Sequence, residues 1–185
     1  IRVAIDSLEK EATREADLVV AVTQVEKKEM ETWGAKLLIL APNGTEIKKP
    51  TEKALDNWIL RKPQGPYLLY AASAHPPNFS HFTEIVGESL GCFDPESKRV
   101  IAGSVTDHVY REVMNTKWTT LNQSRLTLLG ILSKSELFAV KHLAHGFILP
   151  IPHGGGSNLK TAEAIASGKY VIGTSHAFRG FETFR

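Results

Sequence analysis

Five short apolar runs between residues 67 and 175 constrain the fold of this chain more than any other feature. They are YLLYAAS (67–73), RVIAGS (99–104), LTLLGIL (126–132), GFILPI (146–151) and YVIGTS (170–175). Each run is nearly continuous in apolar residues, as expected of a strand that is covered on both faces, and amphipathic stretches separate the runs. This alternation predicts an α/β fold, with a parallel sheet between two layers of helices.

The stretches between these runs carry helix start signals. Asn78 is placed to cap FSHFTEIVGESL, and Thr106 is placed to cap DHVYREVMN. Ser133 and Glu136 form an S-x-x-E capping box before LFAVKHL. Such side chains satisfy the free backbone N–H groups of a first helical turn, so we expect helices to begin there.

Residues 1–62 are predicted to form a separate, shorter unit. A helix (SLEKEATREA) is followed by a strand (ADLVVAVT), a helix (EKKEMETW) and a strand (KLLILAP), whereas residues 43–66 turn to proline, lysine and polar residues typical of a linker or irregular connection. Two strands make a poor core alone, so we expect this unit to end a larger domain or to pack on residues 63–185. The last residues, GFETFR, follow a strand and a turn, and we expect the second domain to be truncated there.

Composition excludes several classes of protein. The chain has 185 residues, of which 42% are hydrophobic and 23% charged, with a net charge of +2, as in ordinary globular proteins and without the basic excess of a nucleic-acid-binding domain. It has no apolar run long enough to span a bilayer and no signal peptide pattern, so a cytoplasmic location is predicted. The single cysteine, Cys92, has no partner, and no His, Asp or Glu spacing indicates a metal site.

Residues 153–168, HGGGSNLKTAEAIASG, combine three glycines with a helix start directly after a predicted strand. In an open parallel sheet this is the edge at which ligands bind. The free N–H groups of a first helical turn favour an anion, and glycines at 154–156 allow it close to the backbone. The segment matches neither the Walker loop nor the G-x-G-x-x-G fingerprint.

Spacing on this helix suggests how a nucleotide would be held. Leu159, Ala162 and Ala166 form an apolar stripe, and Glu163 lies about 40° from Leu159, at the edge of the predicted buried face. A ribose could donate its hydroxyls to that carboxylate, and Lys160 could reach a phosphate oxygen. The alternative is an ordinary surface ion pair worth ~0.2–0.5 kcal/mol, on a helix that merely follows a flexible loop.

Motifs along nearly the whole chain resemble those of GT-B glycosyltransferases, in the same order. ADLVVAVT with LILAPNGTE resembles the end of their N-terminal domain. LLYAASAHPPN, RVIAGS and LTLLGILSKSEL resemble successive segments of their C-terminal domain. The most specific segment is LPIPHGGGSNLKTAEAIASGKYVIGTSHAFRGFE, which is similar to the "GgG...K..E" variety of glycosyltransferase family 4.

The resemblance implies a Rossmann-like, nucleotide-sugar-binding domain at residues 63–185. Residues 1–62 would then be the end of the acceptor-side domain and the linker. The intact enzyme would transfer a sugar from a nucleotide-diphosphate sugar to a glycan, lipid or other acceptor, without a metal or cofactor and with retention at the anomeric carbon. Peripheral association with the inner face of the membrane is compatible with this role, and the chain alone is expected to be inactive.

The resemblance also assigns site residues. Lys160 matches the lysine that neutralises the departing nucleoside diphosphate, which makes it the catalytic candidate, and Glu163 matches the glutamate that holds the ribose. The resemblance places the glycine segment and the helix start around the diphosphate and sugar, at Gly154, Gly155, Gly156, Ser157, Asn158 and Leu159. It places Gly130, Ile131 and Leu137 against the base, and Ser73 and Asn78 in a loop facing the phosphates.

Two departures from the family pattern matter. Gly155 stands where many members carry a second glutamate that touches the donor sugar. Residues 74–76 are Ala, His and Pro where many members carry an Arg and Lys clamp. Arg179, His75 and His153 are therefore further candidates for contacts to the diphosphate. The remaining histidines are predicted on helix surfaces: His81, His108, His142 and His145.

These departures leave two alternatives to an enzyme. The chain could be a non-catalytic module that binds a nucleotide sugar or another anion. It could also be an interaction domain, in which the glycine segment is only a turn.

Overall fold

The computed structural model describes the backbone of residues 2–184 and the side chains of residues 5–78 and 80–184. The main elements are α1 (Arg2–Glu15), β1 (Val19–Ala21), α2 (Gln24–Trp33), β2 (Leu38–Leu40), α3 (Glu52–Ile59), β3 (Tyr67–Ala71), α4 (Pro76–Val86), β4 (Lys98–Ala102), α5 (Thr106–Met114), α6 (Thr119–Arg125), β5 (Leu126–Leu128), α7 (Lys134–Leu143), β6 (Gly146–Leu149), α8 (Leu159–Ala166) and β7 (Tyr170–Gly173). Short 3₁₀ helices lie at Leu90–Cys92, Ser175–Phe178 and Glu182–Phe184.

All five predicted strands of the second unit are present and form one parallel sheet in the order β5-β4-β3-β6-β7. The strands β3, β4 and β5 progress to one side, after which the chain returns and places β6 on the other side of β3. The order therefore reverses between β3 and β6. In open α/β sheets a crevice forms at this point, between the loops that follow the two strands.

Helices cover both faces of this sheet, as the apolar runs predict. On one face Tyr67 and Leu69 of β3 pack with Trp58, Val140 and Phe147. On the other face Tyr70 of the same strand packs in a cluster with Phe82, Leu90, Ile101, Val105, Val109 and Val113. Alternate residues of β3 thus enter opposite cores, which explains why buried strands of this fold are apolar at every position.

The prediction of an irregular connection over residues 43–66 is wrong for its second half. Residues 52–59 form α3, which begins after an N-cap at Thr51. Trp58 lies 3% exposed in the core, and its indole Nε1 donates to the hydroxyl of Tyr67 at 2.8 Å. The polar composition of the segment hides this helix because only one of its faces packs against the sheet domain.

Two predicted helix caps are also wrong. α4 begins at Pro76 with His75 at the N-cap position, so Asn78 lies inside the first turn. Prolines favour a first turn because they lack the N–H that would remain unsatisfied there. Thr106 is the first residue of α5, and its hydroxyl donates to the carbonyl of Gly103 at 2.7 Å. The Ser133–Glu136 capping box is confirmed.

The first unit contains the predicted two strands with a helix between them. β1 and β2 pair in parallel, with Val19 opposite Leu38. α2 starts with a capping box formed by Thr23 and Glu26, which the sequence analysis did not identify, and ends at Gly34.

Candidate functional site

The loops after β3, β4 and β5 are joined at the carboxyl edge of the sheet. The amide of Gly103 donates to the carbonyl of Gly130 at 2.7 Å, and the amide of Ala74 donates to the hydroxyl of Ser104 at 2.8 Å. Gly103 has φ +99°, and a Cβ there would lie 2.1 Å from the carbonyl oxygen of Ala72. Only glycine fits this close approach, which fixes the floor of the crevice next to Ser73.

Lys160 and Asn78 bridge the crevice where the strand order reverses. The Nζ of Lys160 donates to Oδ1 of Asn78 at 2.7 Å. The Nδ2 of Asn78 in turn donates to the carbonyl of Ser73 at 2.9 Å and lies 3.3 Å from its hydroxyl. The structure therefore brings together three of the predicted site residues, one from the loop after β3, one from α4 and one from α8.

The ammonium of Lys160 is half-buried and has no carboxylate within 4 Å among the residues that the structure describes. Burial lowers its pKa below the ordinary value for lysine, and the more distant Glu163 opposes this only in part. An ammonium that is removed from water and bonded to a neutral amide oxygen is poorly compensated, and it favours an anionic partner.

The glycine loop, residues 154–156, is held from one side by Arg179. The Nε of Arg179 donates to the carbonyl of Gly156 at 2.6 Å, its Nη2 donates to the same oxygen, and its Nη1 donates to the carbonyl of Gly154. Gly154 and Gly156 have φ of +136° and +65°, values that side chains disfavour. These hydrogen bonds and the two positive φ angles define the conformation of the loop.

The first turn of α8 corrects the expectation that its backbone N–H groups are free to bind an anion. Asn158 is its N-cap, and the Oδ1 of Asn158 accepts from the amide of Lys160 at 3.0 Å. The carbonyl of Asn158 accepts from the amides of Thr161 and Ala162. These helix amides are thus satisfied by the protein. Within residues 2–184, the backbone N–H groups without a hydrogen-bond partner here are those of residues 154–159, in the loop and at the very start of the helix.

The apolar stripe predicted for α8 is wrong at Leu159, which is 57% exposed. The buried side instead includes Ala164 and Thr161, whose hydroxyl donates to the carbonyl of Ala177 at 2.6 Å. Because a threonine can bury its hydroxyl once this finds a backbone acceptor, hydropathy alone misplaces the buried face.

Glu163 is exposed and faces the neighbouring helix α7. Its Oε2 lies 2.6 Å from the Nζ of Lys141. Beside this ion pair a cavity opens between α7, α8 and the segment 45–48, and Phe138, Phe147 and Lys169 contribute to its walls. The carboxylate therefore points along the groove between the two helices and not into the glycine loop.

The three residues predicted to contact the base lie at the loop after β5 and on α7. Gly130 has φ +65°, and the side chain of Ile131 is 81% exposed at the mouth of this loop. Leu137 is half-buried and packs against the core beneath. Ile131 is thus free to cover a planar ring, whereas Leu137 supports the loop from the core side.

His153, a candidate from the sequence, pairs near the crevice with His81, which the sequence did not indicate as part of the site. His81, predicted on a helix surface, is 5% exposed, and its Nε2 lies 3.1 Å from Nε2 of His153. Burial, and secondly His153, lower the pKa of His81. His153 directly precedes the glycine loop, so this pair joins α4 to the loop beside the Lys160–Asn78 bridge.

The first unit also reaches the glycine loop. The Nδ2 of Asn43 donates to the hydroxyl of Ser157 at 2.7 Å. A Cβ on Gly156 would lie 3.6 Å from Oε1 of Glu26, and one on Gly180 would lie 3.1 Å from Thr23. The segment after β2 and the start of α2 therefore border the site.

Two further properties of the described residues bear on other functions. No group of three or more His, Cys, Asp or Glu side chains between residues 2 and 184 is arranged to hold a metal ion. In the same part of the chain, no helix has the length and apolar character that a membrane span requires.

Comparisons with known proteins agree with this architecture. No model of a protein family and no curated protein matches the sequence. HepE from Anabaena, solved with UDP and glucose, is similar in structure, with a TM-score of 0.68, 18% identity and coverage of 94% of this chain and 47% of HepE. WaaG, a glycosyltransferase involved in lipopolysaccharide biosynthesis, has a TM-score of 0.67 and 10% identity, and the match covers 97% of this chain and 50% of WaaG. Sucrose-phosphate synthase from Thermosynechococcus elongatus has a TM-score of 0.61 and 20% identity, and the match covers 93% of this chain and 44% of the synthase.

The chain spans about half the length of these solved structures. At such identities the likeness concerns the fold, and the fold class predicted from the sequence is confirmed. The chain therefore has the fold of GT-B glycosyltransferases over about half of their length.

Proposed function

We propose that this chain is the donor-binding part of a glycosyltransferase, which transfers a sugar from a nucleotide-diphosphate sugar to an acceptor. Within the GT-B fold, the motifs around residues 149–182 favour a relationship to glycosyltransferase family 4. In the transfer, the bond between the anomeric carbon and the β-phosphate oxygen breaks, and negative charge grows on the leaving diphosphate. The site must stabilise that charge.

The observation that carries the proposal is the ammonium of Lys160, which is half-buried and is not neutralised by a carboxylate among the described residues. It lies at the reversal of strand order, beside the free loop amides of residues 154–159, and its hydrogen bond goes to the neutral oxygen of Asn78. A cation and several N–H donors that converge on one crevice form a site for a doubly charged group such as a diphosphate. HepE, of similar fold, was solved with UDP.

In this proposal Lys160 neutralises the leaving diphosphate, and the loop amides donate to its non-bridging oxygens. No metal ion is required because the chain supplies the positive charge itself. Ser157 contributes its hydroxyl: since that oxygen accepts from Asn43, its own proton is available for a phosphate oxygen. We further propose a retaining reaction, as the family resemblance implies.

The nucleoside is proposed to extend from this crevice toward α7. Glu163 would accept hydrogen bonds from the ribose hydroxyls, with the base near Gly130 and Ile131 and with Leu137 beneath. Because the carboxylate is paired with Lys141, ribose binding must loosen or share that ion pair. Both side chains are partly exposed, so such rearrangement costs little.

The remainder of the proposed activity belongs to the whole enzyme. The acceptor, a glycan, lipid or other molecule, would bind through a further domain of the kind that completes the solved structures. The chain alone is proposed to bind the donor without catalysing transfer. We place the enzyme in the cytoplasm, with peripheral association at the inner face of the membrane if the acceptor is a lipid.

One observation favours a second candidate, a nucleotide-sugar or anion-binding module without catalysis. Gly155 is exposed and has only a hydrogen atom as its side chain. Many members of the family that the sequence resembles carry at this position a glutamate that touches the donor sugar. Such a module would bind the nucleotide through the same residues, and it would fail to activate the sugar.

The proposal is tested by calorimetric titration of the chain with UDP, GDP and ADP. We expect saturable binding of one of them and a loss of about tenfold or more in affinity for Lys160→Ala, since a charge-assisted hydrogen bond contributes about 1.5–3 kcal/mol. Lys117→Ala, which removes an exposed lysine on the loop after α5, should bind as the unaltered chain does. Absence of binding for all three nucleotides contradicts the proposal.

The enzyme and the module are separated by a second measurement. A full-length protein that contains this chain is mixed with the nucleotide sugar whose nucleotide part binds and with an extract of candidate acceptors. The release of free nucleoside diphosphate is then measured. Turnover that requires both acceptor and Lys160 supports the enzyme. Nucleotide-sugar binding without turnover supports the module.

A further inference from the structure

We infer that Arg179 is a positioning residue, which turns two peptide groups of the glycine loop so that their N–H bonds face an anion. This inference rests on the proposed binding of a diphosphate at that loop. Arg179 lies in the turn after β7 and the 3₁₀ helix Ser175–Phe178, on a different element from the loop that it contacts.

The guanidinium of Arg179 is almost fully used by the protein. It has five N–H bonds and no acceptor. Nε and Nη2 donate to the carbonyl of Gly156, and Nη1 donates to the carbonyl of Gly154. Nη1 also lies 2.6 Å from Nε2 of His176, which itself lies 3.1 Å from the carbonyl of Gly154. Three of the five N–H bonds are therefore assigned to the glycine loop, and His176 lies beside a fourth. The sequence predicts Arg179 as a further candidate for a contact to the diphosphate, but these contacts leave its guanidinium little capacity for that role.

Peptide geometry turns these contacts into an orientation of the loop. In a trans peptide the C=O and the N–H of one plane point in opposite directions, and no cis peptide is found within residues 2–184. Because the carbonyls of Gly154 and Gly156 point at Arg179, the N–H groups of Gly155 and Ser157 point away from it. Neither N–H has a hydrogen-bond partner in the described part of the chain.

The clamp acts on the part of the chain that most needs it. Three consecutive glycines have more backbone freedom than any other sequence, and ordering them upon ligand binding would cost conformational entropy. If either peptide flipped, its carbonyl oxygen would face the anion and repel it. By holding both carbonyls on its own side, Arg179 keeps the two N–H donors oriented before the ligand arrives, which favours binding.

The test compares Arg179→Ala and Arg179→Lys with Arg111→Ala, which removes an exposed arginine on α5. Two quantities are measured by nuclear magnetic resonance on ¹⁵N-labelled chain: the order parameters of the amides of residues 154–157 without ligand, and the amide shifts of Gly155 and Ser157 during titration with UDP. Calorimetry gives the UDP affinity, with uridine as the control ligand that lacks phosphates.

In the unaltered chain we expect loop order parameters near those of rigid backbone, about 0.8, and UDP-induced shifts at Gly155 and Ser157 that uridine does not produce. Arg179→Ala should lower the order parameters to about 0.6 or less and weaken UDP about tenfold or more, without changing the response to uridine. Arg179→Lys should lose nearly as much loop order and UDP affinity, because an ammonium cannot bridge two carbonyls as the planar guanidinium fork does. Arg111→Ala should change neither quantity.

The inference is overturned if Arg179→Lys binds UDP as tightly as the unaltered chain, since Arg179 would then act only through its charge. It is also overturned if Arg179→Ala leaves the loop order parameters unchanged. Thermal unfolding curves identify a variant that does not fold, in which case Arg179→Gln, which retains an amide NH₂ group but no guanidinium fork, replaces Arg179→Ala. If the unaltered chain binds no nucleoside diphosphate, the proposed function fails, while the order parameters still decide whether Arg179 orders the loop.

Discussion

The amide oxygen of Asn78 lies 2.7 Å from the ammonium nitrogen of Lys160, although 82 positions separate the two residues in the sequence. This hydrogen bond crosses the crevice between β3 and β6 and compensates a half-buried cation with a neutral dipole. The cation is therefore held in place without being neutralised. An arriving anion can strengthen its interaction with Lys160 more than it could if a carboxylate already occupied the place of Asn78.

If UDP is the nucleotide that the proposed site binds, Asn78→Asp is expected to weaken its binding about tenfold or more, and the predictions below apply equally to GDP or ADP if one of these binds instead. The new carboxylate would pair with Lys160, neutralise it and repel the diphosphate, while the fold would be as stable as before or more so. Calorimetry with UDP and thermal unfolding measure the two effects. Asn115→Asp, at an exposed position after α5, is the matched control and should leave UDP binding unchanged. Tighter UDP binding by Asn78→Asp would argue against an anion at this place.

The affinity for UDP should depend on alkaline pH through Lys160. Burial lowers the pKa of its ammonium, so the free protein loses this charge at a lower pH than an exposed lysine would. A bound diphosphate stabilises the charged form, so binding is strongest below the lowered pKa and weakens as the pH rises through it. Calorimetric titrations with UDP across the alkaline range measure this profile. The phosphates of UDP titrate near pH 6. Because the uracil ring of UDP also loses a proton in the alkaline range, the contribution of Lys160 is taken as the difference from a variant whose cation does not titrate.

Lys160→Arg is the control for this pH dependence. Arginine keeps its charge throughout the range, so the affinity of this variant, whatever its absolute value, should decline less steeply with pH than that of the unaltered chain. A decline of equal steepness in both proteins would assign the titration to another group.

The contacts of Lys160 and Arg179 also mark what the sequence could not predict. The apolar runs predict the five strands because a strand that is buried on both faces must be apolar, and they place the ends of the strands, with Ser73 and the glycine loop, at one edge. Strand order does not follow from such runs. The neighbourhood of Asn78 and Lys160 depends on β6 pairing with β3 and not with β5.

The sequence also does not show where a buried polar side chain finds its hydrogen-bond partner. The buried hydroxyl of Thr161 finds the carbonyl of Ala177, and this contact turns α8 so that Leu159 is exposed. The clamp by Arg179 is a side chain to backbone contact across 23 positions at Gly156, and no periodicity signals it. Such contacts depend on tertiary packing, whereas the strands and the Ser133–Glu136 capping box depend on local sequence.

Glu163→Gln is expected to show whether Glu163 contacts the nucleoside or the phosphates of a nucleotide in the proposed site. If Glu163 accepts from the ribose hydroxyls, the variant should bind UDP about tenfold more weakly and bind inorganic pyrophosphate unchanged, since pyrophosphate has no ribose. Lys141→Met, which removes the competing partner of the carboxylate, should strengthen UDP binding a few-fold. Competition titrations with both ligands give these affinities.

The control for this prediction is Glu112→Gln, on the exposed side of α5, which should leave the binding of both ligands unchanged. Equal losses of UDP and pyrophosphate in Glu163→Gln would place the carboxylate near the phosphates or assign it a structural role. No loss for either ligand would show that Glu163 serves only its ion pair with Lys141.

Gly103→Ala is expected to destabilise the floor of the crevice by at least about 2 kcal/mol. Two causes combine: φ is +99°, and the added Cβ would lie 2.1 Å from the carbonyl oxygen of Ala72, so the backbone after β3 or β4 must move. Gly168→Ala is the matched control, since Gly168 has φ +67° and nothing within 4 Å of a Cβ, and it should cost only about 1 kcal/mol. Urea denaturation of the three proteins measures the difference. Equal losses in both variants would show that the contact with Ala72 relaxes without cost, and that conformation alone requires glycine at position 103.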